Sequence, residues 1–223
     1  MNVIKSNYEG NPHIGLFIFC NDVLCFVGNG FREDQRAEIA AALKVPLYPA
    51  SIMGSPLIGL FMTGNNKVLF VPHRIEKNEF DYLNEICQKH QIRLVKIATN
   101  LTALGNNLLC NDHGCIANPD FSSTEIKEMQ AALERPVVKS TIASFEIVGS
   151  LARTTSHGLL VCEDILPEEK KIIEDSLQQK AVEGSINNSR YISSGVVANK
   201  YGGVICDQLF GAEILPIKDA LFR

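Results

Sequence analysis

Residues 101–120 read LTALGNNLLCNDHGCIANPD. Gly105 is followed by a short strand-like run, an Asn111-Asp112-His113-Gly114 turn and a second apolar run. Cys110, Asp112, His113 and Cys115 crowd together here, so the stretch reads either as a reactive site or as one copy of a structural unit. The rest of the chain decides between the two. Four other glycines have the same surroundings: Gly15 in HIGLFIF, Gly59 in LIGLFMT, Gly149 in IVGSLAR and Gly195 in SSGVVAN. The five recur at intervals of 44, 46, 44 and 46 residues. A period of that size marks a repeat architecture.

Each copy has the same internal order. A polar turn follows the glycine: Asn21-Asp22, Asn65-Asn66, Asn111–Gly114, Ser156-His157-Gly158 and Tyr201-Gly202-Gly203. Asn, Asp, Ser and Gly supply the left-handed angles and local hydrogen bonds of a hairpin. An apolar run such as Leu24-Cys25-Phe26-Val27 or Leu159-Leu160-Val161-Cys162 comes next, so each copy opens with two antiparallel strands. A helical segment follows. Ser122-x-x-Glu125 is a capping box, and Ile126, Met129 and Leu133 share one helix face. Phe80, Leu83 and Cys87 repeat that spacing, as do Ile214, Ile217 and Leu221. Glu33, Asp34, Glu76, Glu125, Glu168 and Glu169 gather at helix starts, where the helix dipole favours them, and they read as a solvated face.

A further strand closes each copy: VPLYPASI, IRLVKIAT, PVVKSTIA and AVEGSINN. The fifth copy has none before Arg223. The segment NVIKSNYEGNPHIG stands before Gly15 at the offset those strands keep from their own glycines, so the N-terminal strand completes the fifth unit. A lone three-stranded sheet with one helix cannot cover both its faces, whereas five in a ring can, with few exposed edges. The expected fold is α/β: a closed five-bladed α/β propeller of β-β-α-β repeats with pseudo-five-fold symmetry. The units span about 14–57, 58–103, 104–147, 148–193 and 194–223 plus strand 1–13, forming a single domain.

Composition limits the function. The chain has 223 residues, 46% of them hydrophobic, and a net charge of −4. An acidic balance argues against a general DNA or RNA binder, whose affinity comes from Lys and Arg displacing counterions. It leaves room for a basic protein partner with a small RNA patch beside it. No apolar run approaches a membrane span, and the first residues lack a signal-peptide pattern. A cytoplasmic protein with no membrane partner and reduced thiols is expected. No cofactor motif is present.

The repeat also accounts for the reactive-looking residues. Cys20 and Cys25 stand at the same offsets from Gly15 as Cys110 and Cys115 do from Gly105. Copies one and three are not neighbours in a five-membered ring, so the four thiols are not expected to share a zinc ion. They read as small apolar side chains packed in strands. His113 and His157 sit in equivalent turns.

The segments ALGNNLLCND, ASIMGSPLIGLF, VGSLARTTSHGLLV and SSGVVANKYGGVI resemble the translation initiation factor 6 family. The resemblance covers essentially the whole chain and, with nothing after Arg223, points to an archaeal-like member. It implies the pentein superfold and a monomeric ribosome anti-association factor. Such a factor binds the large ribosomal subunit on the face offered to the small subunit. There it touches a ribosomal protein, with the sarcin-ricin loop of the rRNA nearby, and it serves in translation initiation or ribosome biogenesis. The rim around the five glycines would carry the contacts: Asn11 and His13, Ser55 and Pro56, Asn106 and Asn107, Ser150 and Leu151, and Ser193 and Ser194. Asn106 matches the family motif, whereas Ser55 and Pro56 stand where the family more usually has a cysteine followed by a basic residue. The glycines are expected to permit packing at the axis. The alternative is a guanidine-modifying pentein enzyme with Cys206 as nucleophile and His157 or His113 as base. Cys162 holds nearly the same place in copy four, so the repeat explains Cys206 without catalysis, and no enzymatic activity or catalytic residue is expected.

Overall fold

The computed structural model describes residues 2–222. Strand β1 (Asn2–Ser6) comes first and is set aside until the end of the chain. The first blade holds β2 (Ile18–Cys20), β3 (Cys25–Gly28) and β4 (Leu47–Ala50), with helix Glu33–Leu43 between β3 and β4. The second holds β5 (Thr63–Gly64), β6 (Val68–Pro72) and β7 (Arg93–Ile97) around helix Lys77–Lys89, and the third β8 (Leu108–Cys110), β9 (Cys115–Ala117) and β10 (Val137–Lys139) around helix Ser123–Leu133. The fourth holds β11 (Ala152–Thr154), β12 (Leu159–Cys162) and β13 (Ala181–Gly184) around helix Pro167–Leu177. In the fifth, β14 (Val196–Asn199) and β15 (Gly202–Cys206) precede helix Ile214–Leu221. In every blade the first two strands are antiparallel and the third lies parallel to the second.

β1 supplies the third strand of the last sheet. Asn2 pairs with Gly202 and Ser6 with Cys206, parallel to β15 as the other third strands are to their partners. β1 thus completes the fifth sheet, and Asn199 Nδ2 bonds blade five to the Asn21 and Leu43 carbonyls of blade one, which closes the ring.

The helices wedge between successive sheets. Ile39 and Leu43 pack on Cys25 and Val27 of their own sheet and on Val197 and Val204 of the last one. Leu83, Ile86 and Cys87 likewise join Leu69 and Val71 to Phe19 and Phe26 of the preceding blade. Both faces of each sheet are thus covered. That is why the second strands read as unbroken apolar runs rather than alternating ones: Leu24, Cys25, Phe26 and Val27 have no exposed surface at all.

The axis explains the glycines and corrects one of them. A Cβ on Gly59 would strike the carbonyl of Gly15, one on Gly105 that of Gly59, one on Gly149 that of Gly105, and one on Gly15 that of Ser193. The fifth member of this inner ring is therefore Ser193, not Gly195. Ser193 carries a side chain there because its hydroxyl donates to the Ala152 carbonyl at 2.6 Å. The same two-residue slip displaced the fifth hairpin turn. It lies at Lys200 and Tyr201, while Gly202 and Gly203 belong to β15.

Other expectations also change. Ile217 and Leu221 are buried but Ile214 is half exposed, so it leaves the apolar face of its helix. Cys110 and Cys115 face each other across the β8–β9 hairpin, Cα atoms 4.1 Å apart, and form a disulfide rather than packed free thiols. Among the described residues no helix is long and apolar enough to cross a membrane.

Candidate interaction face

The ring has two unlike faces. At one lie the hairpin tips, stitched to one another by side chains. Asn21 Nδ2 donates to the Asn65 carbonyl at 2.9 Å, and Asn199 Nδ2 to the Asn21 and Leu43 carbonyls at 3.1 and 2.9 Å. Asn66 Nδ2 is shared between Asp22 Oδ2 (3.2 Å) and Asp112 Oδ2 (2.6 Å). This face is bonded to itself.

The other face carries the helix N-termini and tight turns that lead from one blade to the next. Glu9-Gly10, Met53-Gly54, Ala143-Ser144 and Asn187-Asn188 each place two successive residues in the left-handed region. For residues with a Cβ that costs about 1–2 kcal/mol apiece, and in three of the turns a buried carboxylate offsets it. Glu79 accepts from the Ser51 hydroxyl (2.7 Å) and the Met53 and Gly54 N–H groups (2.7 and 2.8 Å). Glu169 does the same for Thr141, Ala143 and Ser144, and Glu213 for Ser185, Asn187 and Asn188. Each is also the third residue of its helical segment and accepts from the N-cap N–H, as a capping box requires. Burial alone would push the Glu79 and Glu169 carboxyls up, but the hydroxyl and three N–H donors outweigh it, leaving both carboxyls below the usual range. Glu169 is thus an inter-blade clasp with 5% of its surface exposed, not part of a solvated face.

The inner rim of this face is built from the short helices Ile14–Leu16, Ile58–Phe61, Leu104–Asn107 and Ile192–Gly195. The ten rim residues fall at several offsets from the inner ring rather than at one. Asn106, Ser150 and Ser194 are equivalents, with Leu16 and Leu60 in the remaining blades. The Asn106 carbonyl accepts from Gly149 N–H at 2.8 Å, while its half-buried side chain bonds no protein atom among the described residues. His13 is exposed, with Nδ1 3.3 Å from Ser194 Oγ across the joint between blades one and five. Asn11, Ser55, Pro56 and Ser194 are half-buried. Asn11 Oδ1 caps the His13 N–H at 2.9 Å, and Ser55 Oγ the Leu57 N–H at 3.3 Å.

Four of the ten face inward. Leu151 has no exposed surface and belongs to the core around helix Pro167–Leu177. Asn107 is buried, donating to the Ala103 carbonyl and accepting from Asn118 Nδ2 at 2.7 Å. Ser150 is buried, and Ser193 is committed to the inner ring. These side chains hold the rim rather than offer it.

The sequence reading missed an aromatic sector on the same face. Phe145 occupies the turn position of Asn11 and Ser55, and Tyr191 that of His13; they are 40% and 46% exposed. Arg190 stacks over Phe145 with its guanidinium carbon 5.2 Å from the ring centre, and pairs with Asp164 at 3.0 Å. Leu166 and Phe210, at the N-caps of the helical segments that begin at Pro167 and Gly211, are also exposed. Counting the offset from Ser193 instead of Gly195 would have found Tyr191.

The residues cast for catalysis do not meet. Cys206 is 1% exposed at the turn-face end of β15, and burial pushes its thiol up. His157 lies at the hairpin end, its Nε2 2.9 Å from the Lys200 carbonyl. About four residues of extended strand, on the order of 13 Å, separate the two ends of β15.

Solved structures of similar fold include a dimethylarginine dimethylaminohydrolase bound as an adduct with S-methyl-L-thiocitrulline. It has a TM-score of 0.54 and 14% identity, over 82% of this chain and 71% of that one. A second, from Pseudomonas aeruginosa and complexed with citrulline, gives 0.54 and 12%, over 81% and 71%. At these identities the likeness is one of fold, and it identifies the ring as a pentein. Curated relatives named translation initiation factor 6 match more closely in sequence. That of Sulfolobus acidocaldarius is 34% identical over 68% of this chain and 67% of its own, and that of Staphylothermus marinus 32% over 70% and 68%. That of Thermococcus gammatolerans is 32% identical over 65% of this chain and 64% of its own length. The model of the eIF-6 family matches residues 3–220, nearly the whole ring with its closing strand, and the chain belongs to that family.

Proposed function

We propose that this protein binds the large ribosomal subunit through its turn-bearing face and prevents the small subunit from joining by occupying the space between them. In this reading it acts as a cytoplasmic monomer. It has a ribosomal protein as its main contact and the sarcin-ricin loop close by, and it performs no chemistry.

The observation that carries the reading is the asymmetry of one face on a nearly five-fold scaffold. The hairpin face is bonded to itself. The turn face combines polar side chains at Asn106, His13 and Ser194 with an exposed aromatic and Arg sector at Phe145, Tyr191, Phe210 and Arg190. Aromatic residues and Arg are the types enriched in the cores of protein interfaces. The carboxylate clasps fix the backbone of three turns, so little ordering has to be offset on binding. The acidic net charge favours a protein partner over phosphate-dominated binding.

The test is a subunit-joining assay on sucrose gradients with purified subunits. Added protein should cosediment with large subunits and reduce the joined peak until one copy per large subunit is present. Unchanged joining at saturating protein refutes the proposal. Rapid, selective alkylation of Cys206 in the native protein would instead support the guanidine-modifying alternative.

A further inference from the structure

The first strands of the five blades line an axial channel of about 150 Å³. Its lining combines glycines, apolar strand residues and amides bonded to neighbouring blades, with His113 at the hairpin mouth. One residue stands apart. Arg153, in β11, turns along the channel toward blade five, where Nε and Nη2 both donate to the Val196 carbonyl at 3.2 and 3.0 Å.

A guanidinium has five N–H donors, and here a single carbonyl takes the two bonds it makes to protein. Among the described residues Arg153 is absent from every ion pair. Nη1 bonds no protein atom, yet no buried side-chain nitrogen is left unpaired, so Nη1 opens into the channel. The carboxylates on the same wall, Asp22 and Asp112, lie at the hairpin mouth and are turned to Asn66. Burial pushes the Arg153 guanidinium down to about 10, and no carboxylate stands close enough to oppose this. Arg153 is half-buried, and a partly desolvated cation without a counter-charge is costly. Thr63 adds a second open donor: it is 9% exposed, lines the channel, and its hydroxyl has no protein partner among the described residues.

We infer that the channel is a binding site for one small monovalent oxyanion of the carboxylate or bicarbonate class. It is held by the free edge of the Arg153 guanidinium, with the Thr63 hydroxyl as a further donor on the wall. Guanidinium and carboxylate match as planar, paired donors and acceptors. One buried positive charge balances one negative charge; a dianion would leave an excess beside the two mouth aspartates. The volume excludes nucleotides and other large anions. The site is distinct from the turn face and does not depend on ribosome binding.

The experiment titrates the protein with sodium formate, and separately with bicarbonate, against chloride at matched ionic strength. It follows the Arg153 Nε–H resonance by NMR together with the melting temperature. Both anions should give a saturable one-to-one shift of that resonance and raise the melting temperature. Arg153→Met should bind at least about tenfold more weakly, as expected for loss of charge-assisted hydrogen bonds. No saturable shift in the parent, or an equal response in Arg153→Met, overturns the inference, and sulfate binding as tightly as formate overturns its monovalent character. Should Arg153→Met fail to fold, the parent's Arg153 resonance decides alone, an unmoved signal at high formate refuting the site.

Discussion

Placing a methyl group in the inner ring is the sharpest test of how the blades meet. In Gly59→Ala the new Cβ would lie 2.6 Å from the Ile18 carbonyl oxygen and closer still to that of Gly15. Carbon–oxygen contacts normally begin near 3.3 Å, so clearing the closer Gly15 carbonyl requires blade one to retreat by roughly 1.3 Å. Both obstacles are main chain, so no side-chain rotation relieves them. Because the ring is closed, the displacement passes to the neighbouring joints. Overpacking of this kind costs about 1–3 kcal/mol, the upper end applying where only backbone can yield. Gly59 lies in the short helix Ile58–Phe61, where alanine returns about 0.5–1 kcal/mol. The net loss is about 2 kcal/mol, or about 4–8 °C in melting temperature for a chain of this size. Gly211→Ala is the control, because its Cβ meets nothing within 4 Å and its backbone is not left-handed; it should change stability by no more than about 0.5 kcal/mol. Urea denaturation of the three proteins reads the difference. A Gly59→Ala protein as stable as the parent would refute the close backbone approach at the axis.

Four further outcomes are expected. Glu169→Gln should destabilise the fold by about 1–3 kcal/mol, as a buried charge-assisted network loses its charge. Because Glu79 and Glu169 are held below their usual range, their contribution is complete above the unfolded value near 4.3 and is lost as pH falls through the folded values. A urea midpoint that falls equally below pH 4 in the parent and in a Glu79→Gln, Glu169→Gln double variant would contradict the clasps. Deleting residues 2–6 should open the edge of β15 and give a protein that melts lower and self-associates, visible by size-exclusion chromatography; a monomer of parental stability would argue against closure by β1. Cys87 and Cys162, pushed up by burial to about 12 and about 11, and Cys206, raised by the same cause, should label slowly at pH 8 and quickly in denaturant.

The repeat was legible because each sheet needs the same solution. Both faces are covered, so every second strand is an apolar run and every hairpin tip is polar, at a fixed distance from a glycine that cannot carry a Cβ. The fifth glycine misled because Ser193 holds the ring position while Gly195 offers the expected residue two places later. Nothing in the sequence shows that the Ser193 hydroxyl finds the Ala152 carbonyl. Glu169 looked solvated because a carboxylate at a helix start usually is; it is buried by a turn from the preceding blade that lies 25 or so residues earlier in the chain. The rim was read by proximity to the glycines, which cannot separate Asn106, with a free side chain, from Asn107, turned inward one residue later. Of the aromatic sector, Tyr191 follows from the offset to Ser193, whereas the stacking of Arg190 on Phe145 is a contact that only the fold creates.

The most direct measurement of the central claim compares large-subunit binding by two equally stable variants, one on each face. Asn106→Arg alters a turn-face side chain without protein bonds among the described residues, and His113→Glu alters an exposed hairpin tip. The account predicts that Asn106→Arg loses at least about tenfold in affinity, as an altered interface residue can, while His113→Glu binds like the parent. Parental binding by both, or loss only in His113→Glu, would contradict it.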